Sequence, residues 1–487
     1  MSTSLSSNVV ISGQTLVKGD ATLTQIPAGI DVIGDNAFKG CSDLESITIP
    51  PSVKKIGAGA FSYCTSLLKI SIPDSVTEIG VGAFEGCSSL REVRLPSQLT
   101  SISDDTFADC VELTAISIPP TVTSMGLRVF LKCEKLKDVT LPPQLTCING
   151  QLFEGCLSLE SISIPPSVTS IELSAFSLCI SLKSVKLPDS VTYIAMGAFL
   201  ECHSLVSVNV PEAVEYLPPS AFRGCTSLQS IEIPASVHSL ESGVFAGCSS
   251  LQSIEIPASV HSIEPGVFAG CSSLKRIHVD PANPNYESNE DDSGLFVKGK
   301  EKLLICGTYR LRRIPKTVVE IYEMAFDGCT RLKSLRIPAS VKKIGSQAFS
   351  GCTSLKKVNI PTSIDTLKSE VFRGCTSLPS ITIPPSITSI EDSAFMECSS
   401  LTAIDIPEEV ERIGNQVFRN CTSLKSVEIS PFFNSDRFGF DVVEGCTALD
   451  LTKNPTLRSL VESAKRRAIA RQRLEDAVFK KHQQQGI

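Results

Sequence analysis

The pair Phe-x-x-Cys returns every 23 residues through most of this chain. It runs from Phe38/Cys41 and Phe61/Cys64 to Phe268/Cys271, making 11 units. After a step of 58 residues it resumes at Phe326/Cys329 and keeps the same period to Phe418/Cys421, adding 5 more. A worn seventeenth copy places Val443 and Cys446 in the two slots. Each of the 16 Phe has a Pro eleven residues before it, from Pro27 to Pro407. One such unit cannot bury its own apolar side, so the chain must fold as a stack of like coils. The 487 residues, which would otherwise suggest about three ordinary domains, are then a count of coils.

Within a unit the residue order predicts the path of the backbone. Ile47 and Ile49 are two apart, so they face one side of a short strand and Thr48 faces the other. Pro50 ends the strand because it has no donor for a longer ladder. Val53 and Ile56 turn the chain back across the core, and Phe61, Cys64 and Leu67 close the coil. Gly often precedes the Cys, as at Gly40, Gly86, Gly155 and Gly224, which suits a left-handed turn. Tyr63 and Leu178 fill the same slot, so the turn does not demand Gly.

The pattern Leu-x-x-Ile-x-Ile-Pro-x-Ser-Val-x-x-Ile-x-x-x-Ala-Phe-x-x-Cys resembles the BspA-like, or Treponema-type, leucine-rich repeat. The resemblance covers roughly residues 22 to 450. It implies a leucine-rich repeat solenoid with short parallel β-strands on a concave face and an irregular or 3₁₀ convex side. It departs from the general repeat at the slot that usually holds Asn. Here that slot is mostly Ser (Ser52, Ser75, Ser167, Ser236), so the Asn ladder is missing. Members of the family look like adhesins, surface antigens and interaction scaffolds. Residues 229–251 and 252–274 differ only at Leu240/Ile263 and Ser242/Pro265, a duplication that favours a modular surface over an assembled active site.

The long step carries 35 extra residues, in an extended unit at about 280–313. Leu295–Val297 and Leu303–Ile305 flank Lys298-Gly299-Lys300 and read as an inserted β-hairpin. Asn283-Pro-Asn-Tyr286 and the acidic Glu287, Glu290, Asp291 and Asp292 precede it. That run lacks the alternating spacing and central Gly of a calcium loop. The hairpin either continues the stack or protrudes to meet a ligand. Residues 1–25 read as an N-terminal cap, 26–450 as the solenoid and 451–487 as a basic C-terminal α-helix. Asn454-Pro455 is a helix start, and Leu457, Val461, Ala464 and Ala468 form an apolar stripe, with a weaker one at Leu474 and Val478. From Arg458 to Lys481 the helix carries a net +5. It reads as a cap on the last coil, as a helix that binds a partner helix, or as a contact for an anionic surface.

Composition narrows the chemistry. Of the 19 Cys, 17 fall on the repeat grid and only Cys147 and Cys306 lie off it, so the Cys are read as reduced core side chains. No catalytic, cofactor or metal motif is legible among the five His or elsewhere, and the expectation is a chain that is not an enzyme and holds no cofactor. A net charge of -7 argues against nucleic-acid binding by the repeat body. No apolar run is long enough to span a bilayer. No signal peptide is visible, so the expected location is cytoplasmic, with the cell surface by an unrecognised export route as the alternative. The outward position between the two Ile residues runs from Thr48 to Glu428 and is polar, mostly small and without aromatics. Glu232, Glu255, His278 and Arg336 are its candidate binding residues. The expected function is a non-enzymatic protein–protein interaction scaffold. The alternative is a cell-surface adhesin of the BspA-like type that binds host or extracellular matrix protein, or neighbouring cells.

Overall fold

The computed structural model describes residues 9–299, 301–306 and 313–484, with side chains described except at 304–306, 474 and 476–484. Lys300, the Cys306 side chain, and the expected stripe residues Leu474 and Val478 therefore lie outside the described parts. Two compact units make up the chain, Met1–Val267 and Phe268–Ile487. Both are β-solenoids of the expected coils.

In the first unit most coils contribute to two parallel ladders. One is the expected Ile-x-Ile strand, as where Lys69–Ser71 pairs with Glu92–Arg94. The other is a two-residue strand that ends on the Ile56 slot. It starts from the first half of the four-residue strand Thr15–Lys18 and continues through Val32–Ile33, Lys55–Ile56 and Glu78–Ile79, with like residues in register. The expected turn across the core is thus itself a hydrogen-bonded sheet. Ahead of it, Val10–Ser12 pairs antiparallel with Thr15–Lys18, so a hairpin covers the first coil. Between the ladders, Val53 N–H donates to the Pro50 carbonyl at 3.1 Å in a tight turn. The Ser that replaces Asn is not idle there. Ser52 Oγ donates to the Ile30 carbonyl at 2.6 Å and Ser75 Oγ to that of Val53 at 2.7 Å, tying each turn to the coil before it.

The third side of the coil is a wall of turns. Phe61 N–H donates to the Ala83 carbonyl, Gly59 N–H to Val81 and Tyr63 N–H to Glu85, so three backbone bonds join this coil to the next. This register needs left-handed residues two before and two after each Phe. Gly supplies some, but Tyr63 (φ 59°), Lys132 (φ 54°), Leu178 (φ 59°) and Gln151 (φ 56°) do so as well. The left-handed form costs an L-residue about 1–2 kcal/mol, which the bonded wall must offset. No Val, Ile or Thr occupies such a slot among the described residues, as expected for side chains that clash most there. 3₁₀ helices occur, among the described residues, only at Ser435–Arg437 and Leu451–Lys453, so the repeating wall is irregular and not 3₁₀.

The Phe rings fill the space behind this wall. They stack from Phe38 to Phe245 with centroids between 5.0 and 5.9 Å apart. Each fully buried ring contributes roughly 1.5–3 kcal/mol relative to exposure.

The second unit repeats this plan from Phe326 to Phe418, with ring spacings of 4.9 to 5.7 Å. Its insertion is a three-stranded antiparallel piece. Tyr286–Ser288 pairs with Gly294–Val297, which pairs with Lys302–Cys306. The last of these runs parallel to Glu320–Ile321, with Leu303 opposite Ile321, so the hairpin's second strand takes the place of a coil strand. On the turn wall the extra residues leave no gap. Gly270 N–H donates to the Asp327 carbonyl at 3.0 Å, the bond normally made 22 residues on. A Cβ on Gly328 would lie 2.5 Å from the Gly270 Cα, so a side chain cannot enter that junction.

At the C-terminus, Cys446 N–H donates to the Val443 carbonyl at 3.2 Å, the bond that Cys and Phe make in other coils. Asn454 Oδ1 then accepts the Leu457 N–H at 2.8 Å and starts the helix Pro455–Gln484. Leu457, Leu460 and Ala464 are buried in the core of this unit and Val461 packs against it. Arg467 donates to the carbonyls of Ser435 at 2.7 Å and Asp436 at 3.1 Å, and its guanidinium lies over the Phe440 ring.

Candidate interaction surfaces

The thiols are the most regularly placed groups with potential chemistry. Cys64 Sγ donates to the Phe38 carbonyl at 3.1 Å, Cys110 to Phe84 at 3.2 Å and Cys352 to Phe326 at 3.1 Å, always one coil back. The slot therefore wants a small apolar side chain with one donor, which is a thiol. Burial pushes the Cys64 thiol up to about 12 and holds Cys110 and Cys156 well above the ordinary thiol value. A protonated thiol is a donor and a poor nucleophile, so this row braces the stack. Among the described residues no three His, Cys, Asp or Glu are grouped to hold a metal ion.

The outward row of the Ile-x-Ile ladder is mixed in role. In the first unit Glu232 and Glu255 are exposed in the same slot of successive coils. Asn209 is not available in the same way. Its amide accepts from Leu187 N–H and donates to the Leu187 carbonyl, both at 2.8 Å, and so stands in for a backbone pair. In the second unit Asn359 does the same for Ile337 at 2.9 Å. Arg336 there is exposed.

His278 has a local partner. Its Nδ1 lies 3.3 Å from Asp292 Oδ1, while Arg276 Nη2 donates to Asp292 Oδ2 at 3.0 Å and Ser288 Oγ to Oδ1 at 2.8 Å. Partial burial alone would raise the Asp292 carboxyl, but the bonds from Arg276, Ser288 and His278 outweigh it and hold the group below its usual range. Asp292 is thus tied to the strand Arg276–Val279 and to Ser288. Asp291 likewise accepts from Asn289 at 2.6 Å. Asn283 is buried, and its side-chain oxygen accepts the N–H groups of Asn285 and Tyr286 at 2.9 Å, which explains the Asn-Pro-Asn-Tyr order as a turn.

A second outward row lies on the two-residue ladder, and reading the Ile-x-Ile strand alone leaves it out. In the first unit it includes Cys147, Ser170, Tyr193 and Tyr216. The two tyrosine rings meet edge to face at 6.3 Å and both are exposed. Their spacing of 23 residues was the available signal.

A family profile described as a BspA type leucine-rich repeat region in six copies matches residues 18–133, 100–227, 194–289 and 308–466. No curated protein matches the chain. Among solved structures, a leucine-rich repeat protein of Bacteroides ovatus is similar at 28% identity and TM-score 0.43, over 78% of this chain and 85% of its own. A leucine rich cell surface protein of Faecalibacterium prausnitzii is similar at 28% and 0.46, over 85% and 90%. The pneumococcal vaccine antigen PcpA is similar at 18% and 0.46, over 82% and 87%. Matched by that profile over most of its length, the chain belongs to the BspA-type leucine-rich repeat family.

Proposed function

We propose that this chain is a non-enzymatic scaffold that binds protein partners through the outward rows of its coils. One observation carries the reading. The slots that recur are consumed by the core and the turn wall, while exposed outward slots of the same strands change from coil to coil, as at Arg94, Lys186, Glu232, Arg336 and Asp405. A fixed frame with variable exposed side chains is how repeat proteins make recognition surfaces. The test is a pull-down with the full chain, in parallel with a chain carrying Glu232→Lys and Arg336→Glu. Partners held by the first and lost by the second support the reading; none held by either opposes it.

Family membership supports a second reading, an adhesin displayed at the cell surface. A cytoplasmic scaffold is the alternative. Biotinylation of intact cells separates the two, and labelling of this chain would decide for the surface.

A further inference from the structure

The two-residue ladder of the first unit bears an uneven charge. Its side of six consecutive coils comprises residues 143–151, 166–174, 189–197, 212–220, 235–243 and 258–266, and contains no Lys or Arg. At the chain's usage of 45 in 487, these positions would carry about five. The same slots in the second unit carry Lys316, Lys342, Lys343, Lys368 and Arg412. What the first unit has instead is Glu172, Asp189, Glu212, Glu215, Glu241 and Glu264. Among the described residues none of these six is in an ion pair; Lys183–Glu160 and His203–Glu201 are pairs that neighbour them in sequence.

Apolar and aromatic side chains stand within this acidic field. Leu173 is 45% exposed, Met196 52%, Tyr193 38% and Tyr216 39%, and they come from three successive coils. Partial burial, Tyr193, and the Glu241 and Glu172 carboxylates together hold the Tyr216 phenol above its usual range, so the carboxylates' field reaches the rings. An exposed aromatic pair beside apolar side chains is the composition of an interface centre, and a carboxylate rim selects the charge of what covers it. A guanidinium satisfies both, because it stacks on a tyrosine face and pairs with a carboxylate.

We infer that this face docks a cationic protein segment, one that lays Arg across Tyr193 and Tyr216 and an adjacent apolar side chain on Leu173 and Met196. The inference rests on the scaffold reading and gives it a partner chemistry and a location. The test pans a displayed library of random peptides against the full chain. Enriched peptides should carry Arg next to an apolar residue. A synthetic copy of the strongest should bind at least tenfold more weakly to Tyr216→Ala and to Glu215→Lys, each checked for an unchanged melting temperature. It should bind equally to Glu134→Lys, an exposed position off both ladders. Enrichment of acidic or uncharged peptides would overturn the proposal. So would loss of binding only on Glu232→Lys, which keeps protein recognition and moves it to the other ladder. Self-association of the chain that Tyr216→Ala abolishes would make the occupant a second copy and also overturn it. Failure to enrich any peptide would count against the scaffold reading itself.

Discussion

In one coil of the first unit, Phe176 stacks 5.5 Å from Phe153 and Cys179 donates its thiol proton to the Phe153 carbonyl. On the strand side of the same coil, Ser161 and Ser163 face solvent. The turn wall and the strand faces differ in how many neighbours each side chain must satisfy. A Phe or Cys must fit the coil before and the coil after, so one residue type survives at every step. An outward strand residue meets water on one side and tolerates Thr, Arg, Lys or Glu. Recurrence here measures constraint, and its absence marks where recognition has room to vary.

The comparison breaks first at the ring stack. Phe176→Ala should cost about 3–5 kcal/mol in a urea melt, the usual loss for a truncated core Phe. An unshifted midpoint would show that the wall is not what holds the coils. Alkali should come next. The Cys64, Cys248 and Cys375 thiols are raised by burial from an ordinary value near 9 to about 12. A raised thiol favours the protonated folded state, so its contribution is whole below pH 9. It is lost as pH rises from about 9 to about 12, where the unfolded chain binds fewer protons. The urea midpoint should therefore fall across that window. A midpoint flat to pH 11 would mean that the thiols are exposed.

At the left-handed slots the expected effects are smaller. Leu178→Val should cost about 1–2 kcal/mol because a β-branched side chain resists positive φ. Leu178→Gly should lie within about 1 kcal/mol of the parent, since Gly adopts that φ without strain. Equal melting curves for the two would separate the wall's stability from its handedness. Smallest of all, Glu232→Lys and Arg336→Glu should stay within about 0.5 kcal/mol of the parent, as surface changes usually do. A larger loss at either would make the outward row part of the frame.

The period, the Phe and Cys slots, the inserted hairpin and the Asn454 helix start were all legible in the sequence, because each is a local pattern with one physical solution. The second ladder was not. Its strands are only two residues long, and Lys55–Ile56 carries no alternation to detect. The bracing role of Ser52 and the left-handed Gln151 stayed hidden for a related reason. Their partners lie one coil away, and side-chain identity alone does not reveal a bond made across 22 residues. Among the candidate residues, exposure at Glu232 and Arg336 followed from the alternation of the buried apolar residues on either side of each. The pairing of His278 with Asp292 did not, since it depends on how the insertion folds back.

The junction at Gly270 and Gly328 shows how such a chain changes length. Thirty-five residues enter between two coils, yet the turn wall closes over them with its ordinary hydrogen bond. The wall keeps count of coils, not of residues, so added chain on the strand side need not disturb the register of the later coils. That makes the site a natural socket. A foreign hairpin whose last strand supplies an apolar side chain in the place of Leu303 could be grafted there, and the stack would carry it as cargo.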